Sequence, residues 1–416
     1  MAKSIRAFAY GYSAILLGIY LHRRGLSGIQ AGLVLSAILA GSALGLLVVG
    51  RTADRIGRRR VYFTGYILLA LAGMTVALSP WWWLMILAAF SGTLSAEVMD
   101  SGPFSVIEHV MLSNAASGQN RIRNFGTYNA VAAASGSFGA LLAGIAYAVP
   151  PGIRGQSGSH LFILLVPLAF AGAICAVNLS PAMELQPSTA TGKTDADNAG
   201  ERTKFLPPPP MRSVLLRLSA LFGMDAFGAG FAVQAFISYW LSTRFGADTV
   251  AIGALFLLIG ASQTLSMFTA AWLGRRFGLL PTMVFTHLPS NFLMIAVAFA
   301  PNFPVAAGLL VARAALSEMD MPARQAYVMA LVVPEERTRA ASTTSLARYI
   351  ARPAGPILAG LAQNVSLGFP FLISGVIKGS YDLILWIWFK HVPLSSEEQP
   401  DQSDSATETS ETSYGH

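Results

Sequence analysis

Apolar stretches long enough to cross a bilayer alternate with short polar turns along almost the whole chain. Each stretch is near the roughly 20 residues that a helix needs to span the hydrocarbon core. Prolines, glycines and charged residues separate the stretches. We therefore predict twelve membrane helices, called spans 1 to 12 below. Their bounds are 4–22, 28–49, 61–79, 82–108, 124–149, 160–179, 213–243, 249–273, 281–300, 303–331, 341–363 and 367–390.

One long polar segment divides the spans into two groups of six. It covers residues 180–211, is rich in Ser, Thr, Asp and Asn, and ends in four consecutive prolines, so it cannot bury an apolar face. We predict an N-terminal six-helix bundle at 1–179, a flexible cytoplasmic linker at 180–211 and a C-terminal six-helix bundle at 212–392. The acidic residues 393–416 are predicted to be a disordered cytoplasmic tail.

The two groups of spans resemble each other. Arg55-Ile56-Gly57 in the first group returns as Arg276-Phe277-Gly278 in the second. Gly136 returns as Gly355, at almost the same separation along the chain. Such steady offsets predict a duplicated six-helix unit. Internal repeats of this kind are typical of secondary transporters, whose substrate site lies between the repeats near the bilayer midplane.

The composition supports a membrane protein and argues against other classes. Hydrophobic residues make up 54% of the chain and charged residues 12%, against about 25% charged in soluble domains. The net charge of +7 comes from short loops between spans, so it does not indicate nucleic-acid binding. The single cysteine, Cys175, lies in an apolar run and the six histidines are scattered, so we expect no disulfide and no metal site. Motifs for ATP binding or hydrolysis are missing from the sequence, so we expect neither an enzyme nor a cofactor.

Lysines and arginines fall mostly on one side of the predicted membrane. Nineteen lie on the side of the loop between spans 2 and 3, and four lie on the other side. The positive-inside rule then places the first side, and with it both termini, in the cytoplasm. We expect a monomeric multi-pass protein in the lipid bilayer of a bacterial-type inner membrane.

The loop between spans 2 and 3 carries the most specific motif of the chain, which predicts a basic turn bracketed by two glycines. It reads Gly50-Arg51-Thr52-Ala53-Asp54-Arg55-Ile56-Gly57-Arg58-Arg59-Arg60. This stretch resembles the signature G-x-x-x-D-R-x-G-R-R/K of the major facilitator superfamily, and Gly274 to Gly278 is a weaker second copy. The resemblance implies an all-α membrane fold of twelve transmembrane helices in two pseudo-symmetric six-helix bundles. It also implies transport by alternating access.

The resemblance further implies a gating role for this loop. In the superfamily the corresponding Asp and Arg residues form a cytoplasmic latch that holds the two halves together in the outward-open state. Orientation of the chain in the membrane is a second role, compatible with the first. The residues that match the motif are Gly50, Asp54, Arg55, Gly57, Arg58 and Arg59.

Carboxylates inside the spans are candidates for proton coupling. A charge at membrane depth costs roughly 3 kcal/mol on insertion scales, so each one normally faces a cavity or a partner. Spans 4 and 10 each carry paired carboxylates just before a proline that can bend the helix, and span 7 carries one flanked by glycines. A carboxylate shielded from water can load and release a proton as its surroundings change. The candidates are Glu97, Asp100, Asp225 and Asp320.

Further charges in spans 10 to 12 are predicted to form either a substrate site for an anion or an internal ion-pair network. Arg348 and Arg352 share one helix face but have the same sign, so they need an anion, carbonyl groups or the carboxylates of span 10. Lys378 and Asp382 have the same spacing and opposite signs, so they can neutralise each other. The full set is Arg313, Glu318, Arg348, Arg352, Lys378 and Asp382.

The sequence thus predicts a secondary active transporter of a small organic solute, with protons as the driver. Efflux is slightly favoured by the apolar helices and by the resemblance to the superfamily. The drug/proton antiporters of the superfamily, however, carry a Gly-Pro motif in span 5, where this chain has Gly136-Ser137. Uptake of an organic anion is the alternative, favoured by Arg313, Arg348 and Arg352. A transporter-like sensor that moves no solute is a third hypothesis.

Overall fold

The structure is a computed structural model in which every regular element is helical within the described residues. These residues are 1–79, 81–98, 102, 104, 108, 119–149, 158–178, 209–332 and 337–392. The tail at 393–416, nearly all of the linker and Asp100 lie outside this part of the chain.

Both halves of the chain are built from helices that run from one end of the bundle to the other. The described helices of the N-terminal half are α1 (Ala2–Arg23), α2 (Gly28–Ile56), α3 (Arg58–Leu78), α4 (Trp82–Phe90), α5 (Gln119–Ala148) and α6 (Leu165–Val177), with a 3-10 turn (Ser159–Leu164) before α6. Those of the C-terminal half are α7 (Pro209–Gly230), α8 (Gln234–Phe245), α9 (Thr249–Phe277), α10 (Leu279–Ala298), α11 (Phe303–Ser317), α12 (Asp320–Leu331), α13 (Arg337–Ala351), α14 (Ala354–Ala362) and α15 (Phe369–Phe389).

Nine spans have a described helix, or an adjoining pair of helices, long and apolar enough to cross a membrane. Spans 7, 10 and 11 are each divided into two helices, namely α7 and α8, α11 and α12, and α13 and α14. Prolines account for two of these divisions. Pro353 lies between α13 and α14, and Pro322 falls in the first turn of α12, where its missing N–H is tolerated.

The prediction of one continuous helix over 82–108 is wrong. The helix α4 ends at Phe90, and residues 91–98 form turns and bends. Gly92 has φ 68°, a left-handed conformation that interrupts the helix. The Ser95 side chain then bonds both the N–H and the carbonyl of Glu97, so it competes with helical hydrogen bonding.

The loop predicted at 50–60 is instead a turn of one residue. The helix α2 continues through Gly50 to Ile56, and only Gly57, with φ 99°, separates it from α3. Gly278, with φ 88°, separates α9 from α10 in the same way at the equivalent place in the second half. Within the described part of the chain, no atom lies within 4 Å of the position of a Cβ added to Gly50.

The two halves repeat one mode of helix packing. A Cβ added to Gly11 of α1 would lie 1.8 Å from the carbonyl oxygen of Gly136 in α5. A Cβ added to Gly230 of α7 would lie 2.9 Å from the Cα of Gly355 in α14. Gly230 follows Gly11 along the chain by the same number of residues as Gly355 follows Gly136. The duplication that the sequence offsets predict is therefore visible as two equivalent glycine contacts.

The halves pack against each other from mid-depth to one end of the bundle. We call the end with Gly57 and Gly278 the arginine face, and the other end the opposite face. Among the described residues, the largest inter-half contacts are those of α1 with α8, α2 with α14 and α5 with α9, and α2 also touches α8 and α13. Glycines allow the backbones to touch near the opposite face, since a Cβ on Gly360 would lie 2.1 Å from the Gly28 carbonyl oxygen.

Side chains complete the closure of the opposite face. The Tyr239 hydroxyl donates to the Leu26 carbonyl at 2.9 Å. The Thr243 hydroxyl lies 3.0 Å from Nδ1 of His22. Near the arginine face, by contrast, a Cβ added to Gly50 would have no described atom of the other half within 4 Å. The structure is thus closed at the opposite face.

We predict that Gly57→Ala destabilises the protein, whereas Gly50→Ala does not. A side chain at φ 99° costs about 1–3 kcal/mol, because only glycine populates this region readily. Gly50 lies inside a helix with open space around it, so alanine there is expected to stabilise by roughly 0.5–1 kcal/mol. Thermal unfolding of the purified variants measures both effects. Equal unfolding temperatures for the two variants would contradict the one-residue turn.

Candidate functional site

Interrupted helices from both halves meet between the halves. One interruption is the non-helical segment 91–98 after α4, and three others separate α7 from α8, α11 from α12 and α13 from α14. Broken helices at the interface between repeats are typical of substrate sites in transporters. Each interruption places a polar side chain there, and these are Glu97, Gln234, Glu318 and Arg352.

Hydrogen bonds between the halves fix the segment that carries Glu97. The Ala235 N–H donates to the Ala96 carbonyl at 3.0 Å, and the Val98 N–H donates to the Gln234 side chain. The Glu97 carboxylate forms an ion pair with Arg352 of the other half. Both side chains remain partly exposed, at 21% and 22%. A solute between the halves can therefore reach this pair.

A second carboxylate, Glu318, lies beside the first. The Gln263 amide donates to the Glu318 carboxylate at 3.0 Å, and the charges of Glu318, Arg313 and Glu97 interact. Three buried polar atoms nearby have no hydrogen-bond partner among the described residues: Arg313 Nε, Gln263 Oε1 and Ser317 Oγ. Buried polar atoms without partners mark positions that a bound molecule or water can satisfy.

These residues define what we call the central site. It combines two carboxylates, two guanidinium groups and two amides contributed by both halves, and its members are Glu97, Gln234, Gln263, Arg313, Glu318 and Arg352. Such a set can bind charged or hydrogen-bonding groups of a small molecule. It holds no nucleophile paired with a base, so it offers no covalent chemistry.

A buried ion network adjoins the central site in the C-terminal half. Its centre is Asp225 of α7, which accepts from Arg348 of α13 at 2.7 Å, Lys378 of α15 at 2.9 Å and Arg324 of α12 at 3.2 Å. Arg324 also bonds Asp320 at 3.0 Å. Four helices are therefore held together through one carboxylate.

The same network continues on the other side of α15. The two carboxylate oxygens of Asp382 lie 2.8 and 3.0 Å from Nδ1 of His287 on α10. Asn291, one turn further along α10, donates to Asp382 at 2.8 Å. Because the Nε2 atom of His287 lies 3.9 Å from Asp225, this histidine stands between the two carboxylates.

The pairing expected between Lys378 and Asp382 is wrong. Lys378 donates to Asp225, and Asp382 contacts His287. Carboxylates from two other spans pair with the two arginines of span 11. Arg348 pairs with Asp225 of span 7, and Arg352 pairs with a carboxylate of the N-terminal half. Spacing along one helix could not show these partners, which come from other helices.

The N-terminal half has its own buried ion pair. Arg6 of α1 is 1% exposed and bonds Glu108 through both its Nε, at 3.1 Å, and a terminal nitrogen. The Tyr62 hydroxyl donates to the same carboxylate at 2.6 Å. Arg6 is one of the nineteen cationic residues that the positive-inside rule places on the cytoplasmic side, and the structure buries it. Arg6 precedes Asp225 by the same separation that relates Gly136 to Gly355, so the equivalent positions of the two halves carry opposite charges.

Sequence reasoning missed two features of this arrangement. It set His287 aside because the histidines form no metal set, although the residue lies inside an apolar span. It also did not identify the buried pair of Arg6 and Glu108. The constant separation between equivalent residues of the two halves could have indicated that Arg6 is buried, because it aligns Arg6 with Asp225 inside span 7.

The residues of the predicted gating motif lie at the arginine face. Arg55 is exposed, Arg59 is half-buried and Arg58 is buried. The side chain of Asp54 is outside the described part of the chain. The gating assignment therefore stays a prediction.

We predict that Glu108→Gln strongly destabilises the protein. The change leaves the buried Arg6 without its carboxylate, and the loss of one partner of a buried pair costs about 3–5 kcal/mol. The double variant Arg6→Met/Glu108→Met removes both charges and is expected to recover most of the loss. Thermal unfolding in detergent measures both variants. A Glu108→Gln protein as stable as the wild type would contradict this pairing.

Comparisons with known proteins identify one family along the chain. The profile of the Major Facilitator Superfamily matches residues 2–312 and again 218–413. An uncharacterized membrane protein of Saccharomyces cerevisiae is 26% identical over 421 residues, which cover 95% of this chain and 94% of that protein.

Solved structures share the fold at low identity. The crystal structure of a D-xylose-proton symporter has a TM-score of 0.74 at 13% identity, covering 96% of this chain and 98% of that one. An inward-open xylose transporter of E. coli has a TM-score of 0.72 at 14% identity, covering 97% and 98%. Because the family profile spans the chain, the protein belongs to the Major Facilitator Superfamily of multi-pass membrane transporters.

Proposed function

We propose that the protein is a proton-coupled secondary transporter that moves a small organic solute by alternating access. The observation that supports this most is the central site, where four helix interruptions bring charged and amide side chains of both halves together. Side chains at broken helices can exchange partners without disturbing a continuous helix, which suits a site that binds and releases its ligand.

Rocking of the halves about the central site would alternate its exposure. In this structure the halves are joined at the opposite face through Tyr239 and Thr243. We infer that the arginine face is cytoplasmic, together with both termini, in an inner membrane of bacterial type. The structure is then an inward-facing state. In the outward-facing state, Asp54, Arg55 and Arg58 would form the latch between the halves.

Proton coupling is supported by the carboxylates at and beside the central site. Glu97 is reachable from between the halves, whereas Asp225 and Asp320 lie in the buried network. Asp100, the fourth candidate, lies outside the described residues. A proton on Glu97 removes the charge that binds Arg352, so it loosens a link between the halves.

We infer export by proton antiport as the direction of transport. Glu97 and Glu318 can each bind either a proton or a cationic or hydrogen-bond-donating group of the solute, but not both at once. Competition for one carboxylate produces an exchange of solute against protons. The charges of this site would suit a solute with a cationic or polar group attached to an apolar body.

Uptake of an organic anion is the second candidate function. It is favoured by the Nε of Arg313, which is buried and has no hydrogen-bond partner within the described ranges. An anionic group bound there would satisfy this atom. Arg348 and Arg352 support this function less, because each already pairs with a carboxylate.

A ligand screen followed by flux measurements tests the proposed function. The purified full chain is heated with pentoses, nucleosides, amino acids, tetraphenylphosphonium and benzoate, and compounds that raise the unfolding temperature are tested in proteoliposomes. We expect at least one stabilising compound, accumulated when a pH gradient is imposed. Exchange that persists while a pH gradient never drives accumulation would refute proton coupling. Absence of both stabilisation and flux would favour a sensor that transports nothing.

We predict that Arg352→Gln and Glu97→Gln each reduce flux of the stabilising compound at least about tenfold, the effect of about 1.4 kcal/mol of lost interaction. The swapped variant Glu97→Arg/Arg352→Glu restores the ion pair and is expected to recover part of the flux. Lys390→Gln, an exposed position just after α15, is the matched control and should behave as the wild type. If Arg352→Gln abolishes flux of benzoate but leaves tetraphenylphosphonium unaffected, the anion-uptake alternative is favoured.

A further inference from the structure

His287 occupies a position between two carboxylates that belong to different helices. On one side its Nδ1 lies 2.8 and 3.0 Å from the two oxygens of Asp382 on α15. On the other side its Nε2 lies 3.9 Å from Asp225 on α7. The ring is buried and also stands edge-on to Tyr381.

This geometry fixes where a second proton would go. A carboxylate can only accept, so the neutral ring carries its hydrogen on Nδ1 and donates it to Asp382. The lone pair of Nε2 is then on the side of Asp225, at a distance too long for a hydrogen bond. A proton added to Nε2 would face the Asp225 carboxylate and attract it.

The charges of the network are balanced only while His287 is neutral. Asp225, Asp320 and Asp382 carry three negative charges, and Arg324, Arg348 and Lys378 carry three positive ones. A protonated His287 adds a fourth positive charge beside an Asp225 that already has three cationic partners. The added charge repels these partners and competes with them for the Asp225 carboxylate.

Arg348 is the partner best placed to leave. Its side chain is 30% exposed, whereas those of Arg324 and Lys378 are 10% and 7% exposed. A guanidinium group that already reaches water loses little when it turns away from Asp225. Arg348 also lies one helical turn before Arg352, which pairs with Glu97 across the halves.

We propose that His287 takes up the transported proton and that its protonation releases Arg348 from Asp225 toward the central site. This inference rests on the proton coupling proposed above and adds a buried histidine to the carboxylates of the central site as a carrier of the proton. The added charge on α10 is transmitted through Asp225 of α7 to Arg348 of α13. Arg348 lies one helical turn from Arg352, so its release changes the charge around the ion pair of Arg352 with Glu97. Protonation of His287 would thereby affect both the charges that bind the ligand and the contact between the halves.

Distance measurements by electron spin resonance test this assignment without a known substrate. Spin labels are attached at Ile56→Cys and Phe277→Cys, two exposed positions at the arginine-face ends of α2 and α9, in a Cys175→Ser background. The protein is placed in lipid nanodiscs and measured from about pH 5 to 8.5, a range that brackets the roughly 6.5 of an unperturbed histidine. We expect the distance distribution to shift with pH as a one-proton transition.

The variant His287→Gln is expected to lose this shift, because glutamine bonds Asp382 but cannot gain a charge. The matched control His391→Gln, after the end of α15, should shift as the parent does. A shift in His287→Gln equal to that of the parent would overturn the assignment and leave proton coupling intact. A parent protein whose distances do not respond to pH would overturn both.

A second variant keeps the test decisive if His287→Gln does not fold. Arg348→Gln removes the cation that protonation is proposed to release, while His287 and both carboxylates remain. The pH-dependent shift is expected to disappear in this variant. Its persistence would show that Arg348 does not connect His287 to the halves, and so would refute the proposal.

Discussion

An ionised side chain away from water needs a partner of opposite charge, and the interior of this protein is arranged around that requirement. Asp225 binds three cations from three other helices, and Glu108 binds Arg6 and Tyr62 in the N-terminal half. Each half thus pairs these buried charges with partners of its own, and the two halves carry opposite charges at the equivalent positions of Arg6 and Asp225. The pair that joins the halves, Glu97 with Arg352, is partly exposed, at 21% and 22%, and so is Arg348 of the Asp225 set, at 30%. These are therefore the charges that solvent, a solute or a proton reaches most readily.

Helix interruptions and glycines make this arrangement compatible with movement. The interruptions place polar groups between the halves, where backbone hydrogen bonds are exchanged, as between Ala235 and Ala96. Under the alternating access proposed above, the glycine contact between Gly28 and Gly360 at the opposite face would separate, whereas the contact between Gly11 and Gly136 within the N-terminal half would be kept.

The fold was predictable because its signals are local. Spans, their division into two groups and the family signature follow from runs of apolar residues and from the sequence around Asp54. The site was predictable only as a set of residues, not as contacts. Arg348 and Arg352 were identified as charges in need of partners, but their carboxylates come from spans 7 and 4, which no spacing along span 11 reveals. The interruption of span 4 was not predicted either. It depends on hydrogen bonds from the Ser95 side chain to the backbone of Glu97, and the pattern of apolar residues does not indicate such bonds.

We propose that the two faces open and close in alternation about the central site. Distance measurements at both faces test this, with spin labels at Ile56→Cys and Phe277→Cys on the arginine face in one sample. A second sample carries labels at Arg23→Cys and Val365→Cys, exposed positions of the two halves at the opposite face. We expect that any condition that lengthens one distance shortens the other, with the opposite-face distance short in the state described here. An opposite face that stays closed under every condition, or two faces that widen together, would contradict it.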